Sequence, residues 1–476
     1  MKTNMKRNMN KNNKSNMKKI LSRVLAAFLV VASTVSFFNT EAGNVQAAGV
    51  PVREGVETTP ASGNIIVGVE GTNYTSDLQS ILNEINKVRK EACDAGNVPD
   101  PRDTSRMLTP SDYVPLKIGK NCQKAAEVRA AEASFNLEHT RPNGKKSSSA
   151  FRTLYSGTTY VGENLAWGSK KCTRMEGWID EKDEWIGTGG TWNNSTGHYA
   201  NLINPNYNYM GVSTFNPAND NLKYDWDCTA GCYSKLDEPL TSLPGAQNTT
   251  YIQKIEVPVS KIVKKSISGS DRVILGKTES FGLTVDIAFN AKYDVTVTDC
   301  PVYGTTTWTS SNPGILTIDA NGVATGKKEG SATITAASGG ISASRNMNVT
   351  VYKNEWVEGK WYDASGNQTY AGTLQWKKNA SGYWVEDTAG WYPTNQWQRI
   401  DGKWYYFTAS GYMDYSEYRD GCWLNSDGSW NEKYSHGKWN YDGYGWWYQD
   451  DGWYPRNQNL WIDGVRYYFD GSGYMR

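Results

Sequence analysis

The period of the apolar positions changes twice along this chain, and each change marks a new kind of structure. Leu78, Ile81, Leu82, Ile85 and Val88 recur at helical spacing, with Ser76 placed to cap the helix and Gln79 to complete a capping box. A second helix is expected from about Asn121 to Leu137, rich in Ala and Glu, and it delivers His139 just past its C-terminal end. A third carries Met175, Trp178, Ile179, Trp185 and Ile186 on one side. Glu181 falls at the margin of that stripe and Lys182 near its middle, which is at odds with an ideal amphipathic helix. A loop then enters a short helix that Pro205 follows, and alternation over residues 207–215 predicts a strand. Helices and strands mixed around one polar window define an α+β domain over 72–236, with residues 48–71 read as a tether or first short strand and 237–255 as a linker.

From 256 to 352 the period falls to two. Short runs of Val, Ile and Thr alternate with Gly, Asn, Asp and Ser, and turn signals recur every few residues, which predicts an all-β sandwich. Asn321-Gly322 is a hairpin signal within it. From 355 to 476 the chain repeats with a 62-residue period: GWYPTNQWQRIDGKWYYFTASGYM at 390–413 returns as GWYPRNQNLWIDGVRYYFDGSGYM at 452–475. Such thin aromatic hairpins hold little core alone and must stack on their neighbours.

Composition sharpens this picture. A net charge of +1 offers no basic field for nucleic acid. Fourteen of the 20 Trp lie after residue 355, so the last region packs on rings. Residues 1–47 read as an export signal, with a basic stretch, an apolar run from Val24 to Phe38 and a cleavage site after Val45-Gln46-Ala47. No later segment is apolar enough to span a bilayer. Export places the seven cysteines in an oxidising setting. Cys228 and Cys232 could close a local loop; spacing alone does not pair the others, and CxxxC is a weak zinc signal.

Two of the three histidines, His139 and His198, fall in one polar, glycine-bearing window with Glu163 and Glu181. Imidazole titrates near neutrality and serves as base or metal ligand, so His139 and His198, with Glu163 and Glu181, could hold a divalent metal such as zinc. Either carboxylate could instead orient a ring from behind. Metal-bound water would make a hydrolase; a buried His–Glu hydrogen-bond network would serve as scaffold alone. Ser195 and Thr196 lie near His198, with no sign that either hydroxyl meets an activated base.

Gly162-Glu163-Asn164-Leu165-Ala166, Trp178 with Glu181, Gly197-His198-Tyr199 and the earlier His139 together resemble the CAP superfamily of cysteine-rich secretory, antigen 5 and pathogenesis-related 1 proteins. The resemblance implies an α-β-α sandwich in which His139, Glu163, Glu181 and His198 converge on a cleft. Lys182 departs from the apolar residue often found there, directly after Glu181. Residues 307–336 resemble the bacterial immunoglobulin-like group 2 domain, expected as a stalk or spacer, with adhesion as the alternative. The aromatic repeats resemble choline-binding-like cell-wall-binding repeats of Gram-positive surface proteins, whose hairpins stack into a β-solenoid. Aromatic faces there form cages for quaternary ammonium groups or platforms for sugars. The candidate contacts are Trp391, Trp404, Tyr406, Tyr412, Trp453, Tyr468 and Tyr474; Arg466 replaces Trp404 in the second copy. The expected protein is secreted and held non-covalently on the wall through choline or a wall polysaccharide. It presents a cleft for an unidentified ligand, with a metal-dependent peptide or ester hydrolase and a non-catalytic adhesin as the alternatives.

Overall fold

The computed structural model describes residues 50–218 and 226–476, so the expected export signal lies outside the described residues. Among those residues no helix is long and apolar enough to cross a membrane.

The first helix, α1 (Leu78–Asp94), starts one residue later than expected. Asp77 is its cap, accepting from Ser80 N–H at 2.8 Å, and Gln79 bonds forward to Asn83 instead of closing a box. Helix α2 (Lys120–Asn136) ends where Leu137 turns left-handed at φ 54°. After a short α3 (Ser149–Leu154), the expected third helix is broken into α4 (Glu176–Asp180) and α5 (Lys182–Gly187). The break at Glu181 resolves the conflict in the stripe: Trp178 and Trp185 stay fully buried while Lys182 is only partly covered. Helix α6 (Gly197–Ile203) precedes Pro205 as expected.

Both segments flanking the domain carry strands. Strand β1 is Val52–Arg53 and β2 is Asn64–Asn73; β3 is Val161–Gly168, β4 Tyr209–Pro217, β5 Asp227–Ser234 and β6 Thr249–Pro258. Strand β2 pairs with β6 from Asn64↔Pro258 to Asn73↔Thr249 without a slip. Residues 48–71, expected as a tether or first short strand, thus supply β1 and most of β2, and residues 237–255, expected as a linker, supply most of β6. The reason is visible in β2: Ile65, Ile66, Val67 and Val69 are all buried, a run apolar on both faces that only a central strand accommodates.

This sheet has two cores. On one face α2 and α3 cover Phe215, Ala230 and Cys232; on the other α1, α4, α5 and α6 cover Met210, Val212 and Tyr233. The outcome is the expected α-β-α sandwich.

The immunoglobulin-like stretch does not stand apart from it. Strands β7 (Ile262–Ser268), β8 (Gly282–Asn290) and β9 (Val295–Tyr303) run in the order β7-β8-β9-β2-β4-β5-β3 within one ten-stranded sheet. The junction is Val302↔Val67 and Tyr303↔Ile66, and one buried core runs across it. A spacer was expected; a shared sheet is found. The rest forms a four-stranded and a three-stranded sheet around Trp308, Leu316, Ile334 and Met347. The expected Asn321-Gly322 turn is present, with Gly322 at φ 77°.

Each aromatic repeat builds one four-stranded sheet and one separate hairpin. The tightest turns pair an acid with glycine, as at Asp401-Gly402 and Asp463-Gly464, both residues of each pair at positive φ. That geometry matches the twist of the flanking strands.

Candidate functional site

The four expected residues assemble as two histidine–carboxylate pairs. His139 Nδ1 lies 2.8 Å from Glu163 Oε2, and His198 Nδ1 lies 2.6 Å from Glu181 Oε1. An ionised carboxylate only accepts, so Nδ1 carries the hydrogen in both rings and Nε2 is left as the free lone pair. His139, Glu163 and His198 line one cleft of about 590 Å³, together with Trp167, Trp192 and Asn201. Glu181 sits behind His198. Its Oε2 accepts from the N–H groups of His198 and Tyr199 at 2.8 and 3.1 Å, capping the start of α6. The ring of Trp178 stacks on His198 at 6.4 Å. The break between α4 and α5 is what brings Glu181 there.

Glu163, on β3, is held by a buried network absent from the sequence reading. Arg129 donates to Glu163 at 2.6 Å, to Glu132 at 2.8 Å and to the His139 carbonyl at 3.0 Å. Arg141 grips Glu57 through two bonds of 2.6 and 2.7 Å and also reaches Glu132. Burial alone would lower the Arg129 and Arg141 pKa values; the facing carboxylates more than offset it and raise both. Burial opposes ionisation of Glu132, but the two arginines hold its pKa below the ordinary glutamate value.

The turn that carries His139 is tied from outside its own domain. Asn290 on β8 donates to the Asn136 carbonyl at 2.6 Å, and Lys261 reaches Asn136 Oδ1 at 3.2 Å. That contact orients the Asn136 amide, whose Nδ2 closes the turn on the Thr140 carbonyl at 2.7 Å. Phe135 stacks on Phe289 at 5.3 Å beside it. Further along, Glu256 on β6 accepts from Asn143 and Lys145. The one legible signal for this support was an arginine at 129 among alanines; the ties from Lys261 and Asn290 left none.

As a metal centre the tetrad offers two imidazole nitrogens, since Glu163 and Glu181 are already taken up by their donors. A catalytic zinc ordinarily has three protein ligands, so the residues as built do not complete such a site. Among the described residues, three candidate ligand atoms come within 4.8 Å of one another at His436, Asp450 and Asp451. As the sequence suggested, neither nearby hydroxyl faces an activated base: Thr196 Oγ1 donates to the Thr191 carbonyl at 2.7 Å, and Ser195 is exposed in the same turn. Cys228 and Cys232 lie four residues apart on the straight strand β5, about 13 Å by strand rise. That separation excludes the local disulfide that their spacing suggested.

A second pocket, of about 190 Å³, lies in the first aromatic repeat and is lined by Trp356, Trp361, Tyr370, Trp391 and Gln398. Trp356 stacks on Trp391 at 5.7 Å, with Tyr370 edge-on at 5.8 Å. Trp356 Nε1 and Gln398 Oε1 are buried without a hydrogen-bond partner. Of the seven aromatic residues singled out, Trp391 alone lines this pocket. Trp453 is its counterpart, stacked on Tyr418 at 6.4 Å in the second repeat. Trp404 lies under Arg399, Tyr406 packs on Trp397 and Arg419, Tyr412 on Trp384, and Tyr474 bonds Asp442, while Tyr468 is exposed. Trp356, Trp361 and Tyr370 went unnoticed because the upstream half of the repeat is the more diverged.

Three family models match this chain, in the order that the folds occupy. Residues 82–224 match the Cysteine-rich secretory protein family and 272–349 the Bacterial Ig-like domain (group 2). Residues 395–413 and 460–475 match the family described as "Putative cell wall binding repeat". The chain is a modular protein of these three kinds of unit. No curated protein matches it. Among solved structures it is similar to the modular autolysin LytC from Streptococcus pneumoniae in complex with a synthetic peptidoglycan ligand. That match has 28% identity over 26% of this chain and 28% of that one, with a TM-score of 0.13. It is also similar to the choline-binding domain of CbpL from Streptococcus pneumoniae, at 22% identity over 21% and 76% and a TM-score of 0.09. An intimin mutant from EHEC O157:H7 matches at 14% identity over 26% and 86%, with a TM-score of 0.14. The chain thus spans little more than a quarter of the autolysin it matches.

Proposed function

We propose that this is an extracellular, wall-associated surface protein that grips a wall polymer through the aromatic pocket at Trp391 and offers the His139/His198 cleft to a second ligand. The pocket carries this reading. Three tryptophans and a tyrosine line one cavity, which suits a quaternary ammonium group or the apolar face of a sugar. The unpartnered Trp356 Nε1 and Gln398 Oε1 would meet the polar end of the same ligand. The match of both repeats to a wall-binding family supports the same assignment. Export through residues 1–47 belongs to this proposal.

Co-sedimentation of the full chain with purified Gram-positive walls tests it. The chain should pellet with the walls and be released by millimolar choline, and Trp391→Ala should weaken retention about tenfold, the size of a desolvated cation–π contact. Retention indifferent to Trp391→Ala and to the Trp356→Ala, Trp391→Ala double variant would sink the pocket as the anchor.

The cleft is read as a binding site, its two Nε2 lone pairs accepting from or ligating the guest. A divalent metal such as zinc would be held there by His139 and His198 alone, two ligands short of a closed site and one short of the usual catalytic set. Calorimetric titration of the full chain with zinc, beside His139→Ala and His198→Ala, decides this: binding abolished in both variants supports a metal at the cleft and justifies a hydrolase screen. Binding unchanged in both would leave the cleft to organic ligands or to adhesion.

A further inference from the structure

We propose that Cys122 and Cys232 are joined by a disulfide that staples the start of α2 to the sheet beside the cleft. Cys122 lies in the first turn of α2 and is fully buried, its N–H donating to Asp237 Oδ2 at 2.8 Å. Cys232 is buried on β5, and its register partner on β4 is Gly211. Gly211 is where the helix touches down. A side chain there would put its Cβ 2.3 Å from the Cys122 carbonyl carbon and oxygen, so only glycine lets the helix backbone lie flat on the sheet at this point. The same contact lays Cys122 beside Cys232, and both belong to one buried cluster between helix and sheet. Cys228, on the same strand, turns its Sγ to the Thr229 carbonyl, and Cys300 turns toward Val297 and Thr298. On its other side Cys232 is the register partner of Glu163, so the bond would fix the strand that carries the cleft carboxylate.

The chemistry is thiol–disulfide exchange with a small-molecule disulfide such as oxidised glutathione. One thiol loses its proton and attacks the donor disulfide, releasing one glutathione thiol and leaving a mixed disulfide. The second thiolate attacks that bond and releases the other glutathione thiol. Two thiols become one disulfide, and the donor takes up the two electrons and two protons. Burial pushes the Cys122 thiol well up from its ordinary value, so the folded chain holds almost no thiolate there. The bond therefore forms during folding, before the helix seats on the sheet.

The test is to refold the full chain from denaturant with a glutathione redox pair or with reductant alone. Each product is then alkylated under denaturing conditions, weighed intact and peptide-mapped. The expected oxidised product takes up alkyl groups on five of its seven cysteines and yields one cross-linked peptide pair containing Cys122 and Cys232. It should melt several degrees above the reduced chain, because a long loop is closed. Cys122→Ser and Cys232→Ser should each give no cross-link at these positions and no redox-dependent melting shift. Alkylation of every cysteine in the wild-type chain, or a cross-link between other positions, overturns the proposal without recourse to the variants.

Discussion

The cleft draws its supports from residues scattered between Glu57 and Asn290, whereas the pocket at Trp391 is built entirely within residues 356–398. The first is held by directional bonds between charges and amides that approach one another only after the sheet has closed. The second is held by ring stacking between neighbouring hairpins. A site of the first kind is exact but depends on distant parts. A site of the second kind is portable, and this chain carries two copies that have since diverged. Trp376 and Trp439 occupy matching places against Phe407 and Phe469, and their cross-strand partners are Val385 and Tyr448. The tyrosine ring packs 5.0 Å from Tyr418, the second repeat's counterpart of Trp356.

The sharpest way to break the contrast is Arg129→Met. It leaves buried Glu163 without its arginine and Glu132 with Arg141 alone, and should cost about 3–5 kcal/mol by thermal unfolding. Trp391→Ala, removing a ring at a partly exposed surface, should leave the melting temperature nearly unchanged while weakening pocket binding about tenfold. Next in size is the exchange between repeats. Val385→Tyr should close the first pocket and eliminate quaternary ammonium binding measured by tryptophan fluorescence. Tyr448→Val should open the second copy at a stability cost of about 2–3 kcal/mol, the price of a new core cavity. A smaller effect is expected from Lys261→Met or Asn290→Ala, each removing one tie to the Asn136 turn, at about 1 kcal/mol. The histidine NMR signals should show His139 broadened by motion and His198 unaffected; equal broadening of both would mean that the immunoglobulin-like strands do not hold the turn.

The smallest effect is in pH dependence, and the two regions should respond with opposite sign. Burial opposes ionisation of Glu256, but hydrogen bonds from Ala61 N–H, Asn64, Lys145 and Asn143 bring its pKa down to about 2. Its folded value lies below the unfolded one, so its stabilisation is complete above about pH 4.5 and fades as pH falls toward 2. In the second repeat, burial and then the neighbouring Asp414 charge push Glu417 up to about 7, with Arg419 offsetting part of the rise. That group contributes fully below about pH 4.5 and loses its contribution as pH rises through 7. Hydrogen exchange at both ends of this range checks the pair: cleft amides should lose protection in acid and second-repeat amides near neutrality.

The sequence disclosed what is local. The four cleft residues were legible because each sits in a short contiguous motif, and the modular order because the apolar period changes between units. Asp77 took the cap from Ser76, a one-residue matter that spacing does not resolve. The partnership of β2 with β6 was illegible because nothing local pairs two apolar runs so far apart, and the intervening polar stretch reads as linker. Arg129 carried a faint signal, a charge inside an alanine-rich helix. Lys261 and Asn290 carried none, since their role depends on the sheet having joined two regions of different pattern. In the repeats, Trp391 was legible from the long period, while Trp356, Trp361 and Tyr370 lie in the upstream half, where the two copies agree less.

The long ladder between β2 and β6 also sets an order in time. As the chain emerges from the ribosome or an export channel, β2 appears early, and its partner follows only when residues 249–258 arrive. At ordinary rates of synthesis that wait is roughly 9 to 35 seconds. Throughout it the apolar run from Ile65 to Val69 has no ladder to join, which leaves an unpaired apolar strand open to wrong partners. The repeats emerge last and fold from close neighbours. Translation thus finishes the repeats only after the sheet behind the cleft has had its chance to close.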